Sequence, residues 1–184
     1  MPTDTLGNTL LTIARNAIGT QFGLDTPPVA HFPDLDKPAA TFVTLTQDGQ
    51  LRGCIGSLEA RRSLAQDTSE NARAAAFRDP RFPPLRSSEL ERTRIEVSLL
   101  DTPEALPCRD ESDAIARLRP EVDGLILTCG NHRATFLPQV WESLHTPRLF
   151  LEHLKLKAGL PANFWSPQVK LSRYGVKKWK EPAE

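Results

Sequence analysis

A cysteine between two glycines, with an arginine just before them, is the part of this chain best suited to chemistry. The segment reads Leu51-Arg52-Gly53-Cys54-Ile55-Gly56. Glycine carries no side chain, so a backbone or a ligand can approach it closely. A guanidinium close to a thiol favours the nucleophilic thiolate. The segment therefore predicts either a small reactive site centred on Cys54 or a tight packing point where Cys54 is a buried small hydrophobe.

The hairpin that we predict for this segment places a cation beside the thiol. Asp48-Gly49 separates two strand-like runs, which is a strong hairpin signal. A two-residue turn there sets Val43 opposite Cys54. Because residues i and i+2 of a strand point the same way, Arg52 and Cys54 are expected to share a face. We expect Val43 and Leu45 on that face too, which makes it partly apolar and covered.

Three side chains elsewhere in the sequence are candidates for the same site. Glu96 lies on the polar side of a predicted strand, as a general base, a clamp for an arginine or an ordinary solvated residue. Arg81 follows Asp79 in a proline-braced loop, where it binds an anion or simply pairs with Asp79. Gln139 is predicted at a helix N-terminus, whose backbone amides suit an anion, although a plain first-turn residue is the simpler interpretation.

The composition argues against several classes of protein. The 184 residues include 23 Lys plus Arg and 23 Asp plus Glu, so the formal net charge of zero does not favour nucleic-acid or anionic-membrane binding. No apolar run approaches the roughly 18 residues that span a bilayer, and the N-terminal residues lack a signal-peptide pattern. Three scattered cysteines and four histidines predict neither a disulfide framework nor a metal site. These features predict a soluble protein of the cytoplasm.

The spacing of apolar residues predicts helices and strands along the whole chain. Helices are predicted over about 5–20, 63–78, 110–118 and 147–158, short helices at 87–91 and 138–141, and strands over 40–46, 51–55, 94–100, 124–129, 133–137 and 168–174. The basic tail after residue 170 is interpreted as a solvated edge. Hairpin-joined strands with helices set between them predict an α+β fold, a mostly antiparallel sheet flanked by helices. The length suits a single domain over residues 1–184.

Five groups of residues carry a resemblance to a known family. In chain order they are Leu51–Gly56, Asp79-Pro80-Arg81-Phe82-Pro83-Pro84-Leu85, Ile95-Glu96-Val97-Ser98-Leu99, Thr135-Phe136-Leu137-Pro138-Gln139-Val140-Trp141, and Lys157-Ala158-Gly159-Leu160-Pro161 with Phe164-Trp165. With these motifs the chain resembles the AMMECR family, in its prokaryotic form the AmmeMemoRadiSam system protein A. The resemblance implies two unequal lobes around a mostly antiparallel sheet, a cytosolic location, and two partners, a Memo-type protein and a radical SAM enzyme. It places the functional centre at the Arg-Gly-Cys-Ile-Gly core but implies no reaction and identifies no cofactor.

Two hypotheses about function follow. In the first, the chain is an enzyme or enzyme subunit that acts on a small anionic substrate in a cleft around the thiol. The carboxylate is then the base or orienter, two guanidinium groups hold the anion, and glycine amides approach the reacting oxygen. The catalytic candidates are Cys54 and Glu96, and the substrate-binding candidates are Arg52, Gly53, Gly56, Arg81 and Gln139. In the second hypothesis, the chain is a non-catalytic adaptor for the same two partners, and the glycine-cysteine segment shapes a docking groove.

Overall fold

Two antiparallel sheets and four α-helices make up the part of the chain that the computed structural model describes, residues 5–182. The first four residues of the N-terminal stretch considered above lie outside that range. Residues 5–100 and 177–182 form one unit, and Asp101–Val176 form a second. The helices are α1 (Thr5–Gly19), α2 (Leu64–Phe77), α3 (Glu111–Arg117) and α4 (Pro147–Lys157). The strands are β1 (Pro38–Gln47), β2 (Gln50–Gly56), β3 (Arg62–Ser63), β4 (Thr93–Leu100), β5 (Glu104–Ala105), β6 (Gly124–Cys129), β7 (His132–Phe136), β8 (Lys170–Tyr174) and β9 (Val176–Lys180). The predicted α+β class is confirmed.

The first sheet has the order β2-β1-β4-β9, and β3 pairs with the start of β1. Its hairpin turns at Asp48 and Gly49, whose φ angles of 50° and 76° are both positive. A two-residue turn of this type needs positive φ at both central positions, and aspartate and glycine tolerate that conformation best. The predicted turn is therefore confirmed. Because β2 stands at the end of the strand order, it is an edge strand.

One face of the first sheet is buried under α1 and α2. Val43 and Leu45 of β1 and Ile95 and Val97 of β4 are fully buried and alternate along their strands, as period-two packing requires. Alanines on α2 let the helix lie close to the strands, as the small residues of that segment predict. The helix starts at Ser63, whose hydroxyl accepts the backbone N–H of Gln66 at 3.3 Å.

The second sheet has the order β5-β8-β6-β7 and its own core with α3 and α4. Trp141 stacks on Phe150 with the ring centroids 3.8 Å apart. Lys155 of α4 is fully buried, and its ammonium donates to Glu111 and to the carbonyl of Phe164. This buried cation joins three segments of the second unit, because each partner lies on a different one.

The basic run forms a solvated edge, as predicted, but it also contains a strand that was not predicted. Residues Val176–Lys180 form β9, the edge strand beside β4. Two contacts hold the segment that follows it. Glu181 accepts the backbone N–H of Ile95 at 2.9 Å and pairs with Arg15 of α1. Exposed lysines also suit an edge strand, because they discourage pairing with another chain. None of the helices within residues 5–182 is long and apolar enough to cross a membrane.

Candidate functional site

A β-bulge decides which side chain stands beside the thiol. The register pairs Cys54 with Thr44, because Arg52 is an extra, unpaired residue in β2. The predicted pairing of Val43 with Cys54 is therefore wrong. Thr44 alternates with the buried Val43 and Leu45, so Thr44 and Cys54 lie on the face of the sheet that points away from the helices.

The same bulge separates Arg52 from the thiol. Nε and Nη2 of Arg52 donate to the carboxylate of Glu89 at 3.1 and 3.3 Å. Gln47, which follows Leu45 on the helix-facing side by strand alternation, lies 3.4 Å from that carboxylate. The prediction that Arg52 and Cys54 share a face is therefore wrong, because it assumed an unbroken strand. Arg52 is only 8% exposed, which makes its guanidinium part of the packing around Glu89.

Thr44 stands between Cys54 and Glu96. It pairs with Cys54 on β2 and with Glu96 on β4, so the three residues form a line across three strands, here called the polar row. Thr44 Oγ1 lies 3.2 Å from Cys54 Sγ, close enough for a hydrogen bond between the hydroxyl and the thiol. Two strand spacings, about 10 Å, separate Cys54 from Glu96, which is too far for a direct hydrogen bond.

Lys178 lies next to the polar row on the neighbouring strand. Its Nζ is 4.0 Å from Glu96 Oε1, and β9 neighbours β4. The side chains of Lys178 and Glu96 are 45% and 26% exposed, so both are accessible to water. A ligand that crosses Thr44 could therefore contact a thiol at one end and a carboxylate-ammonium pair at the other.

Two side chains of a loop hold the backbone of Cys54. Asp79 Oδ2 accepts the Cys54 N–H at 2.9 Å, and Arg81 Nη2 donates to the Cys54 carbonyl at 3.2 Å. Asp79 also accepts Nε and Nη2 of Arg81 at 3.0 and 2.7 Å, so the alternative in which these two residues pair is confirmed. Because β2 is an edge strand, this ion pair takes the place of a neighbouring strand at Cys54.

Electrostatics keep this loop pair charged. The hydrogen bonds from the Arg81 side chain, together with the N–H of Cys54, hold the pKa of Asp79 well below its usual range although the carboxylate is buried. The hydrogen bonds to Asp79 in turn raise the pKa of Arg81. The Arg81 side chain is still 55% exposed, so it can meet a solute while it holds the strand edge.

Both glycines of the motif are approached closely, but by atoms of the protein. A Cβ on Gly53 would lie 2.2 Å from the backbone oxygen of Ala75 in α2. A Cβ on Gly56 would lie 2.2 Å from the ring of Phe42. The absence of side chains therefore serves helix-sheet packing at Gly53 and ring packing at Gly56. The use of their amides to hold a reacting oxygen stays a prediction.

The remaining predicted residues do not join the polar row. Gln139 is exposed and belongs to the second unit, in a five-residue 3-10 helix over Pro138–Glu142, so its anion-binding role stays a prediction. Burial, and then the nearby Asp113, raises the pKa of the Cys108 thiol, and Cys129 is buried. Within the described part of the chain, no three His, Cys, Asp or Glu side chains are grouped so that they could hold a metal ion.

Three residues of the site region were not found from the sequence. Thr44 would have followed from the correct register. Gly53 inside the strand was a signal of a bulge, but it does not say which residue is the extra one. Glu89 is 37 residues from Arg52. A pairing at that separation depends on the tertiary fold. Lys178 belongs to the run of lysines near the C-terminus. Such a run is typical of an edge strand, so it could have indicated β9.

We expect the first unit to lose stability in acid. The hydrogen bonds from the Arg52 guanidinium lower the pKa of Glu89 from 4.5 to about 2. A carboxylate with a depressed pKa in the folded state stabilises the fold above its unfolded pKa and loses that contribution as the pH falls through the folded value. Urea unfolding should therefore show a decline between about pH 5 and pH 2, with Glu89 accounting for on the order of 1–2 kcal/mol. Glu89→Gln should flatten this decline, and an unchanged slope would contradict the assignment.

Fold and site together define a class: an α+β protein with a half-buried cysteine on the polar face of an antiparallel sheet. The chain belongs to the AMMECR1 family, which matches residues 11–179. The resemblance inferred from the sequence motifs is thereby confirmed.

Relatives and a solved structure agree with this placement. The chain is 38% identical to Protein LS215_2104 of Saccharolobus islandicus over 178 residues, 92% of this chain and 78% of that protein. It is also 38% identical to a protein of Methanothermobacter thermautotrophicus over 179 residues, covering 91% and 90% of the two chains. The crystal structure of the uncharacterized protein PH0010 from Pyrococcus horikoshii matches with a TM-score of 0.81 and 31% identity, covering 97% of this chain and 93% of that one.

Proposed function

We propose that this chain is an enzyme, or the subunit of one, whose Cys54 thiol contacts a small anionic substrate on the polar row. The observation that supports this most is the 3.2 Å contact between Cys54 Sγ and Thr44 Oγ1, in line with the carboxylate of Glu96. Buried structural cysteines are usually surrounded by apolar side chains, whereas this thiol is half-buried beside a hydroxyl.

Each residue near the thiol has a role in the proposal. Asp79 and Arg81 fix the backbone of Cys54 from the strand edge, which limits the positions of the sulfur. Thr44 orients the thiol proton through its hydroxyl. The exposed side of Arg81 attracts the anionic group, because a guanidinium binds carboxylate or phosphate with directed hydrogen bonds.

Glu96 acts at the far end of the bound substrate in this proposal. At about 10 Å from the thiol it cannot take the proton of Cys54 directly. It therefore serves as base or orienter for a group of the substrate, or for a water molecule, that lies over Thr44. Lys178 Nζ lies 4.0 Å from this carboxylate, so the ion pair can hold Glu96 in position.

The proposal includes the partners and the compartment that the family resemblance implies. We propose that the chain works with a Memo-type protein and a radical SAM enzyme in the cytoplasm. A free thiol at the site fits a reducing compartment, since oxidation would remove the nucleophile.

Cys54→Ser tests this proposal, with Cys108→Ser as its matched control. A cell that lacks this protein should regain its function from Cys108→Ser but not from Cys54→Ser. Both variants should still co-purify with the Memo-type and radical SAM proteins, because the change only replaces one sulfur atom with oxygen. If Cys54→Ser restores the cell fully, the thiol is not catalytic and the adaptor hypothesis explains the motif better.

A further inference from the structure

An open cavity of about 530 Å³ lies at the C-terminal end of β2, apart from the thiol. Gly56, Ser57, Leu58, Glu59, Arg61, Arg62 and Asp67 line it. Its volume lies within the range of about 300–1,000 Å³ that is typical of small-molecule sites. The start of α2 lies between Arg62 and Asp67, so the positive end of the helix dipole is beside the cavity.

The buried carboxylate of this cavity, Asp67, is already used as an acceptor by the protein. Asp67 is 1% exposed. Its Oδ2 accepts the backbone N–H and the hydroxyl of Thr41 at 2.8 Å each and the amide of Asn71 at 2.9 Å. Its Oδ1 accepts the hydroxyl of Ser57 at 2.7 Å and Nε and Nη2 of Arg62 at 3.1 and 2.8 Å. The carboxylate therefore has no remaining capacity for a ligand's donor.

Arg61 and Arg62 each have N–H groups that their carboxylate partners do not use. Arg62 is held by Asp67 through Nε and Nη2, and Arg61 is held by Glu59 through the same two atoms, with Nε at 2.8 Å. Within residues 5–182, Nη1 of both side chains has no hydrogen-bond acceptor. The buried Asp67 carboxylate fixes the guanidinium plane of Arg62 before a ligand arrives, which lowers the entropy lost on binding. Arg61 is more exposed and is held less firmly by Glu59.

We propose that this cavity binds a small organic anion, a carboxylate or phosphate, through Nη1 of Arg61 and Arg62. The free hydrogen-bonding capacity of the two arginines consists of donors alone, so the ligand group that satisfies them must be an acceptor. Leu58 adds an apolar wall, which suits a ligand with a hydrocarbon or aromatic body. The site differs from the anion site predicted from the sequence, which relied on Arg52 and Arg81.

Titration calorimetry with phenyl phosphate, benzoate and the neutral benzamide tests this inference on the full chain. The two anions should bind saturably and benzamide should not. Arg61→Gln should weaken anion binding about tenfold, because one charge-assisted hydrogen-bonding group is lost. The Arg61 side chain is 80% exposed, so this change leaves the fold intact. Arg109→Gln is the matched control, since Arg109 is 82% exposed and also pairs with a carboxylate.

Arg62→Lys provides a second test. Lysine keeps the positive charge but lacks the additional N–H donors of the planar guanidinium. The change should weaken binding by a similar factor, and circular dichroism checks that the variant is folded. Three results would overturn the inference: no saturable binding of either anion, equal binding by wild type and Arg61→Gln, or loss of binding in Arg81→Gln alone. The last result would place the anion beside Cys54 instead.

Discussion

Asp67→Ala should lower the free energy of unfolding by about 3–5 kcal/mol. The carboxylate is almost fully buried and accepts hydrogen bonds from four residues: Thr41, Ser57, Arg62 and Asn71. Alanine would leave the N–H and hydroxyl of Thr41 without this acceptor, and each unsatisfied buried group costs about 1–3 kcal/mol. The amide of Asn71 keeps its hydrogen bond to the Thr41 carbonyl at 2.9 Å. Arg62 would lose less, because its side chain can turn to water.

Asp34→Ala is the control for this prediction. Asp34 also pairs with a cation, Lys37 at 2.6 Å, but its side chain is 60% exposed. Exposed ion pairs contribute little, so this variant should lose less than about 1 kcal/mol. Urea unfolding curves of the two variants measure the difference. A loss below about 1 kcal/mol for Asp67→Ala would show that the buried network does not hold β1 against α2.

Gly53→Ala should cost about 3 kcal/mol, the second large effect. The added methyl would lie 2.2 Å from the backbone oxygen of Ala75. The backbone of a packed helix cannot move without a loss of packing energy. To admit the methyl group, α2 must shift from the sheet or β2 must bend. Because Cys54 is the next residue, the same shift should loosen its hydrogen bonds to Asp79 and Arg81.

Gly19→Ala distinguishes this clash from a general effect of adding a methyl group. Gly19 ends α1 with helical dihedral angles, and a Cβ there would meet only Leu24 atoms at 3.8 Å. That distance is an ordinary contact, and alanine favours helix, so the variant should be neutral or slightly more stable. Thermal unfolding compares the two variants. Equal stability of Gly53→Ala and wild type would contradict the close approach of α2 to β2.

Much of the fold was predictable because local chemistry specifies it. Asp48-Gly49 indicated the turn, and the alternation of Ile95, Val97 and Leu99 indicated β4. The predicted helices also formed, with ends shifted by a few residues. No strand was predicted after residue 175, because an edge strand rich in lysine has the same composition as a solvated loop.

The site was harder to predict, since it depends on contacts between distant segments. An unbroken strand would have placed Arg52 beside Cys54, and one extra residue in β2 turned it toward Glu89 instead. The role of Asp79 as an acceptor for the Cys54 N–H also has no local signal. Asp67 and Asn71 did give one, as two polar residues four apart among the alanines of α2.

In the proposed function, the sulfur of Cys54 is the reactive thiol of this chain. Alkylation by iodoacetamide at about pH 7, resolved by mass spectrometry for each cysteine, tests it in the folded protein. We predict that Cys54 reacts at least about tenfold faster than Cys108, whose pKa burial raises, and faster than the buried Cys129. In denaturant the three rates should converge. Equal rates in the folded protein, or slower reaction at Cys54, would contradict the proposed role of this thiol.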